Sequence, residues 1–234
     1  MGSVFRFKKF EVDQSGCAMK INTDGVLLAA VVVHSNPRFV LDIGTGTGVI
    51  ALMLAQRFPD ADIDAVEIDE SAAKAATGNF ARSAFSERTT AHFSAIEDYK
   101  TDRKYDLIVS NPPYFVNDLK NPEIRKGIAR HADAQFFESL LIKVAEILSD
   151  GGCFWVILPV KQAELLVQSA VDINLFLRKQ IDICSDEHKP VIRQVICLSG
   201  LAGELERETF YIYESEGVYT AAYRTLLKDF FLAF

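Results

Sequence analysis

From residue 38 onward, short apolar runs alternate with stretches of helical spacing. Residues 39–42 form an apolar run that ends in an acid, and 63–67 form a second one. Between them, 49–57 carries apolar positions at helical spacing and stops before Pro59. The Ala-rich segment 71–85 reads as a helix with Ser71 as its N-cap, because a serine hydroxyl accepts hydrogen bonds from first-turn amides. Residues 89–93 and 105–110 read as strands, the second halted by Asn111-Pro112-Pro113, since proline has no N–H to give a ladder. Residues 136–148 read as a helix stopped by Gly151-Gly152, and 153–158 as a fifth strand. Strands and helices alternating at this spacing predict an α/β fold with a mainly parallel sheet covered on both faces.

The pattern then changes. A helix is expected over 162–170, and two β-rich runs, 176–184 and 191–199, flank the polar turn 185–190. That arrangement predicts an antiparallel hairpin at a sheet edge. A short strand over 210–213 and a helix over 220–231 complete the chain. With no repeat and no linker, the reading is a single domain over 38–234 with 1–37 as an N-terminal extension. The apolar run 26–33 is shorter than the roughly eighteen residues a membrane span needs. It follows the basic stretch 5–10 with no small-residue cleavage site, so it reads as a core helix rather than a signal peptide. No membrane association and a cytoplasmic location are expected.

Charge changes this picture little. Twenty-five Lys and Arg against thirty-two Asp and Glu leave a net charge of −7, which speaks against a protein that coats nucleic acid. A local basic patch is still allowed, because steering depends on how charge is distributed. Cys17, Cys153, Cys184 and Cys197 show no C-x-x-C pair and no zinc spacing, so neither a metal nor a disulfide is expected. His34, His92, His131 and His188 are scattered and build no Ser/His/Asp set.

The chemistry begins at Val40-Leu41-Asp42-Ile43-Gly44-Thr45-Gly46-Thr47-Gly48, a strand leading through glycines into a helix. Gly44 and Gly46 let the backbone approach a ligand, and Gly48 permits tight packing. A dinucleotide site uses nearly the same device, but with the spacing G-x-G-x-x-G. A pyrophosphate at a helix N-terminus calls for positive potential. The acid Asp42 suits instead a ligand with ammonium and sulfonium charges, S-adenosyl-L-methionine. Glu67 ends the second strand, where an acid can accept from both ribose hydroxyls, and Ile68 follows it. Ala95, Ile96 and Glu97 follow the third strand and are candidates to contact the adenine; an exposed acidic turn is the alternative.

Ser110-Asn111-Pro112-Pro113-Tyr114 ends the fourth strand and faces the same crevice, because ligands in open α/β sheets bind at the carboxyl ends of strands. An exocyclic amine conjugated to a ring is a poor nucleophile. Two acceptors gripping its hydrogens, the Asn111 side-chain oxygen and the Pro112 carbonyl, make its lone pair available. Tyr114 offers a π-face for a flat base or amide. Asn111 also borders the cofactor. Direct methyl transfer needs no activated nucleophile, so alignment and electrostatics carry the rate. A rigid Pro-Pro turn is the purely structural alternative.

The glycine turn and Asn-Pro-Pro-Tyr resemble the class I methyltransferases that act on amino groups. Two flanking segments narrow the resemblance: 5–10 leading to Cys17-Ala18-Met19-Lys20-Ile21-Asn22-Thr23-Asp24-Gly25-Val26-Leu27-Leu28, and Tyr219-Thr220-Ala221-Ala222-Tyr223 followed by Phe230-Phe231. Over nearly the whole chain the sequence is similar to the bacterial valine-tRNA adenine-N6 methyltransferases, which modify position 37 of the anticodon loop. The resemblance implies a Rossmann-like seven-stranded sheet with an antiparallel last strand. It also implies that the extension packs on the cofactor side, with Thr23 and Asp24 near the cofactor's amino-acid end. Asp24 can pair with an ammonium, or cap the helix that follows. Three functions compete: a tRNA adenine-N6 methyltransferase, a glutamine-N5 methyltransferase of the release-factor type, and a non-enzymatic cofactor binder. The intact Asn111–Tyr114 segment opposes the third, and the flanking segments favour the first. Lys120, Arg125, Lys126 and Arg130, read as part of a loop, are the candidates to bind RNA.

Overall fold

The computed structural model describes residues 4–17, 20–113 and 122–234, the side chains of 122–134 excepted. A hairpin of β1 (Val4–Arg6) and β2 (Glu11–Asp13) precedes α1 (Thr23–Val31). There follow β3 (Phe39–Ile43), α2 (Val49–Arg57), β4 (Asp62–Glu67), α3 (Glu70–Arg82), β5 (Thr89–Phe93), β6 (Tyr105–Ser110) and α4 (Pro122–Ile147). The last part holds β7 (Leu148–Leu158), α5 (Val160–Val171), β8 (Phe176–Cys184), β9 (Val191–Ser199), β10 (Glu206–Tyr211), β11 (Tyr213–Ser215), β12 (Val218–Tyr219) and α6 (Ala221–Leu227).

Among the described residues the central sheet has eight strands in the order β10-β8-β9-β7-β6-β3-β4-β5, and of these only β9 runs antiparallel to its neighbours. The expected hairpin is present with the expected bounds, but its second strand is inserted between β7 and β8. The sheet exceeds the expected seven strands because β10 pairs in parallel along the outer edge of β8. That edge would otherwise expose a row of unpaired backbone groups. Lys179 of β8 holds the added strand through Glu206 at 3.2 Å and Glu208 at 2.6 Å. The run Glu206-Arg207-Glu208-Thr209 is polar and exposed throughout, so no alternation announced it.

Two apolar clusters sandwich the sheet. One joins α1, α2 and α6 to Val40, Ile63, Leu107 and Trp155; the other joins α4 and α5 to Leu41, Ile108, Phe154 and Val156. Successive side chains of β3, β6 and β7 thus enter opposite clusters, which is why these strands read as continuous apolar runs. Phe7, Phe10 and Val12 of the extension lie in the first cluster with α1, so segment 1–37 shares the core of the rest.

Several boundaries moved. The cap of α3 is Asp69, accepting from Ala72 N–H at 2.8 Å, and Ser71 lies inside the helix, its hydroxyl bonded to Asp69. The cap of α1 is Asn22, not Asp24. Helix α4 starts at Pro122, so the backbone of Arg125, Lys126 and Arg130 is helical rather than a loop. Among the described residues no helix is long and apolar enough to cross a membrane.

Asn79 of α3 is fully buried and joins the extension to the rest. Its Nδ2 donates to the Thr47 carbonyl at 2.8 Å and the Asp13 carbonyl at 3.0 Å, and its Oδ1 accepts from Asp13 N–H at 2.9 Å. Replacing it with alanine removes the side-chain bonds to the buried Thr47 carbonyl and to the half-buried Asp13 backbone, and leaving a buried polar group unsatisfied costs about 1–3 kcal/mol. Asn79→Ala should therefore lower stability in urea unfolding by about 2–4 kcal/mol. A loss inside ~0.5 kcal/mol, typical of surface changes, would show that the bridge carries nothing.

Candidate active site at the carboxyl ends of the strands

Strands β3, β4, β5 and β6 run parallel, so their carboxyl ends share one edge. The turn after β3 occupies its centre. Gly44, Gly46 and Gly48 have φ of 71°, 57° and 85°, a region that side-chain-bearing residues rarely adopt. The alternation G-x-G-x-G is thus a conformational requirement. Nothing stands within 4 Å of where a Cβ would lie on Gly44 or Gly46, so these positions face open space. At Gly48 a Cβ would meet the Phe80 ring at 2.5 Å. The tight packing expected there is against α3.

The two acids hold this turn. Glu67 Oε2 accepts from Gly46 N–H at 2.8 Å and Oε1 from Asp69 N–H at 2.9 Å, so one carboxylate bridges the turns after β3 and β4. Asp42 is fully buried beneath the turn. Its Oδ2 accepts from Thr45 Oγ1 at 2.6 Å and from Ala51 N–H at 3.2 Å. Its Oδ1 has no hydrogen-bond partner among the described residues. Burial pushes the Asp42 carboxyl up to about 7, against the pull of the Thr45 and Ala51 bonds and with a further push from the Glu67 charge.

Ile68 and Phe93 stand 70% and 62% exposed, an unusual outlay of apolar surface next to Glu67. Phe93 was missed in the sequence; its signal was an aromatic at the last position of a strand opposite Glu67. Ala95 is half-buried, whereas Ile96 packs into the second core cluster. The loop bearing them is tied down by Asp64, which accepts from Tyr105 OH at 2.8 Å and Arg103 Nη1 at 3.1 Å and meets His92 Nε2 at 3.1 Å. Burial pushes the Asp64 carboxyl up, but the His92 and Tyr105 hydrogen bonds and the Arg103 charge outweigh it and hold it below its ordinary value.

Asn111 and Pro112 follow β6 directly, Asn111 half-buried and Pro112 buried. Asn111 Nδ2 lies 3.5 Å from Asn22 Oδ1 at the start of α1. Asp24, two residues on, is paired with Arg193 Nε of β9 at 2.7 Å, and Thr23 is exposed. The structure therefore gathers Asp42, Gly44, Gly46, Glu67 and Ile68 around one turn and brings Asn111 against the N-terminus of α1. Tyr114 and Lys120 lie outside the described residues, as do the side chains of Arg125, Lys126 and Arg130.

Asp42 makes a pH-dependent contribution. The folded chain keeps this proton up to about pH 7 and the unfolded chain only to about pH 4, so folding binds a proton in between. Its contribution is whole below the unfolded value and is lost as pH rises through the folded one. Wild type should lose about 4 kcal/mol relative to Asp42→Asn across that window. Parallel pH–stability curves for the two proteins would contradict a buried proton here.

Comparison with known proteins identifies a family. Residues 17–181 match the family model described as methyltransferase small domain. The chain is 60% identical over 234 residues to a tRNA1(Val) (adenine(37)-N6)-methyltransferase of Pedobacter heparinus, covering all of both. It is 41% identical to the protein of that name from Trichodesmium erythraeum, covering 100% of this chain and 99% of that one. Among solved structures, a predicted O-methyltransferase from Agrobacterium tumefaciens aligns with TM-score 0.71 at 17% identity, over 88% of this chain and 96% of that one. At that identity the likeness speaks for the fold alone. A turn of left-handed glycines, two acids and Asn-Pro-Pro meet at one sheet edge, and similarity at this level runs from end to end; the chain belongs to the tRNA1(Val) (adenine(37)-N6)-methyltransferase family, within the class I methyltransferase fold.

Proposed function

We propose that this protein methylates N6 of adenine 37 in valine tRNA with S-adenosyl-L-methionine as methyl donor. The observation that carries the reading is Asn111-Pro112 at the end of β6, beside the glycine turn, in a chain similar over its whole length to enzymes bearing that name. A glutamine-N5 methyltransferase shares the Asn-Pro-Pro-Tyr segment but is not favoured by those relatives. The cofactor supplies a methyl group on a cationic sulfur. The residues present suit it. Asp42 offers a buried carboxylate oxygen without a partner among the described residues, Glu67 a carboxylate for a diol, Gly44 and Gly46 an open backbone, and Ile68 with Phe93 an apolar border for the adenine. Ala95 would line the same border, and Thr23 would approach the cofactor's amino-acid end.

Asn111 Oδ1 and the Pro112 carbonyl accept the hydrogens of the target amine, which localises its lone pair and orients it for attack. As the amine gains the methyl group its nitrogen becomes cationic and sheds one proton to solvent, restoring the neutral secondary amine. Tyr114 supplies the stacking face. An adenine already unpaired in an anticodon loop avoids the few kcal/mol of extrusion from a duplex. Lys120, Arg125, Lys126 and Arg130 would contact phosphates, and a cytoplasmic location, where tRNA is modified, goes with this reading.

Asn111→Ala should cost about 2.7–4 kcal/mol of barrier, roughly a hundred- to thousandfold in turnover, while cofactor affinity stays near normal. Labelled methyl transfer to RNA from a strain lacking the enzyme, with nucleoside analysis, reads both product and rate; methylation of a release-factor-like protein with none on tRNA would overturn the reading. Calorimetry on Asp42→Ala and Glu67→Ala should show cofactor binding weaker by about 1.5–3 kcal/mol each. Unchanged affinity in both would remove the cofactor from this turn.

A further inference from the structure

We propose that Asn22 is a positioning residue for methyl transfer, setting which end of the Asn111 amide faces the target amine. The inference rests on the function proposed above and gives a role of its own to Asn22, which lies within the segment that carries the family resemblance. It follows from a chain of donors and acceptors. The Gly25 backbone N–H at the start of α1 can only donate. Asn22, the N-cap, meets it with Oδ1 at 2.9 Å, which fixes the orientation of the Asn22 amide. The same Oδ1 lies 3.5 Å from the Asn111 side chain. A flipped Asn111 would set oxygen against oxygen there, so its Nδ2 faces Asn22 and its Oδ1 is turned away. By shape alone an asparagine amide does not distinguish its two ends. At 3.5 Å the contact is at the long end of hydrogen bonding. It orients the amide by contrast with the repulsive alternative rather than by strength.

The surroundings hold Asn22 for this purpose. The helix start packs close to this side chain: a Cβ at Gly25 would be in ordinary van der Waals contact, 3.4 Å from Asn111 Nδ2 and 3.5 Å from the Ile50 side chain. Ile21 N–H donates to Gln14 Oε1 at 2.7 Å just before the cap, and Asp24 is tied to Arg193 of β9 at 2.7 Å just after it. The segment that presents Asn22 is thus anchored to the extension on one side and to the sheet on the other. An acceptor for the amine hydrogens is needed from Asn111. A donor in its place would repel the amine, so the polarity set at Asn22 matters for the chemistry and not only for the helix.

Serine and aspartate separate the two roles of Asn22. Both cap a helix well, but serine is too short to keep the Asn111 contact, whereas aspartate keeps an acceptor on both sides. Asn22→Ser should lower kcat by about ten- to a hundredfold, with melting temperature, cofactor affinity and KM for tRNA near wild type. Asn22→Asp should restore kcat to within about threefold of wild type. A normal kcat in Asn22→Ser, or an equal loss in both variants, would overturn the proposal. The second reading is the Asn111 side-chain amide resonance in nitrogen-15 spectra, identified by its loss in Asn111→Ala. It should move in Asn22→Ser while the backbone signals of α1 stay in place, and a fixed resonance would overturn the proposal even without kinetics. The outcomes remain distinct: full turnover in Asn111→Ala defeats the proposed function, whereas a dead Asn111→Ala beside a normal Asn22→Ser defeats only the role of Asn22.

Discussion

Three left-handed glycines in alternation create the constraint around which this site is built. A turn held at φ between 57° and 85° at Gly44, Gly46 and Gly48 is free of side-chain strain but costs more backbone entropy than any other sequence would. It must be held from outside, and the surrounding polar groups do so. Gly44 and Thr45 donate to the Val66 carbonyl, Gly46 to Glu67, and Asn79 grips the Thr47 carbonyl. Asp42 holds Thr45 and the first turn of α2 from below. A buried carboxyl is an expensive way to do this, and its raised proton affinity is the sign of that cost.

The same polar bridges connect parts of the chain that are far apart. Asn79 ties the turn to the β2 end of the N-terminal hairpin, and Asp24 with Arg193 ties the start of α1 to the inserted strand β9. Because β9 runs against its neighbours, its first residues come to the edge where β7 ends; Gln194 sits opposite Leu158. The Arg193 ion pair with Asp24 therefore lies at the site edge. The N-terminal segment, which looks like an addition before the alternating unit, reaches Asn111 through Asn22, and the hairpin of β8 and β9 that follows that unit is tied to the same segment through Asp24.

Much of this was legible along the chain. Strands β3, β6 and β9 are rich in apolar and β-branched residues bounded by turn residues, so they and the hairpin of β8 and β9 could be placed nearly to the residue. Strand β7 begins at Leu148, five residues before the strand expected over 153–158, because its first part, Leu148-Ser149-Asp150-Gly151-Gly152, is not an apolar run. The glycine spacing, Asp42, Glu67 and Asn-Pro-Pro each sit at a strand end, and a parallel sheet puts such ends side by side. Only the last two residues of β10 were legible, within the strand expected over 210–213; its first part was not, because Glu206-Arg207-Glu208 pairs through backbone groups and Lys179 rather than through an apolar face. The α3 cap was misplaced by two residues because Asp69 and Ser71 are both good caps and only backbone geometry chooses between them.

What the sequence determined by itself is the set of groups and their attachment to strand ends: local spacing and residue chemistry suffice for that. Contacts across long separations were decided only by tertiary structure. Nothing local pairs Asp24 with Arg193, puts Asn79 beneath Thr47, or exposes Phe93 beside Glu67 while Ile96 turns into the core. Asp42 shows the difference within one residue. Its place before the glycines marked it as an acid for a cation, yet the packing of α2 over β3 buries it, gives one oxygen to Thr45 and Ala51, and sets its proton affinity, because solvation and distance belong to the folded chain and not to the string of residues.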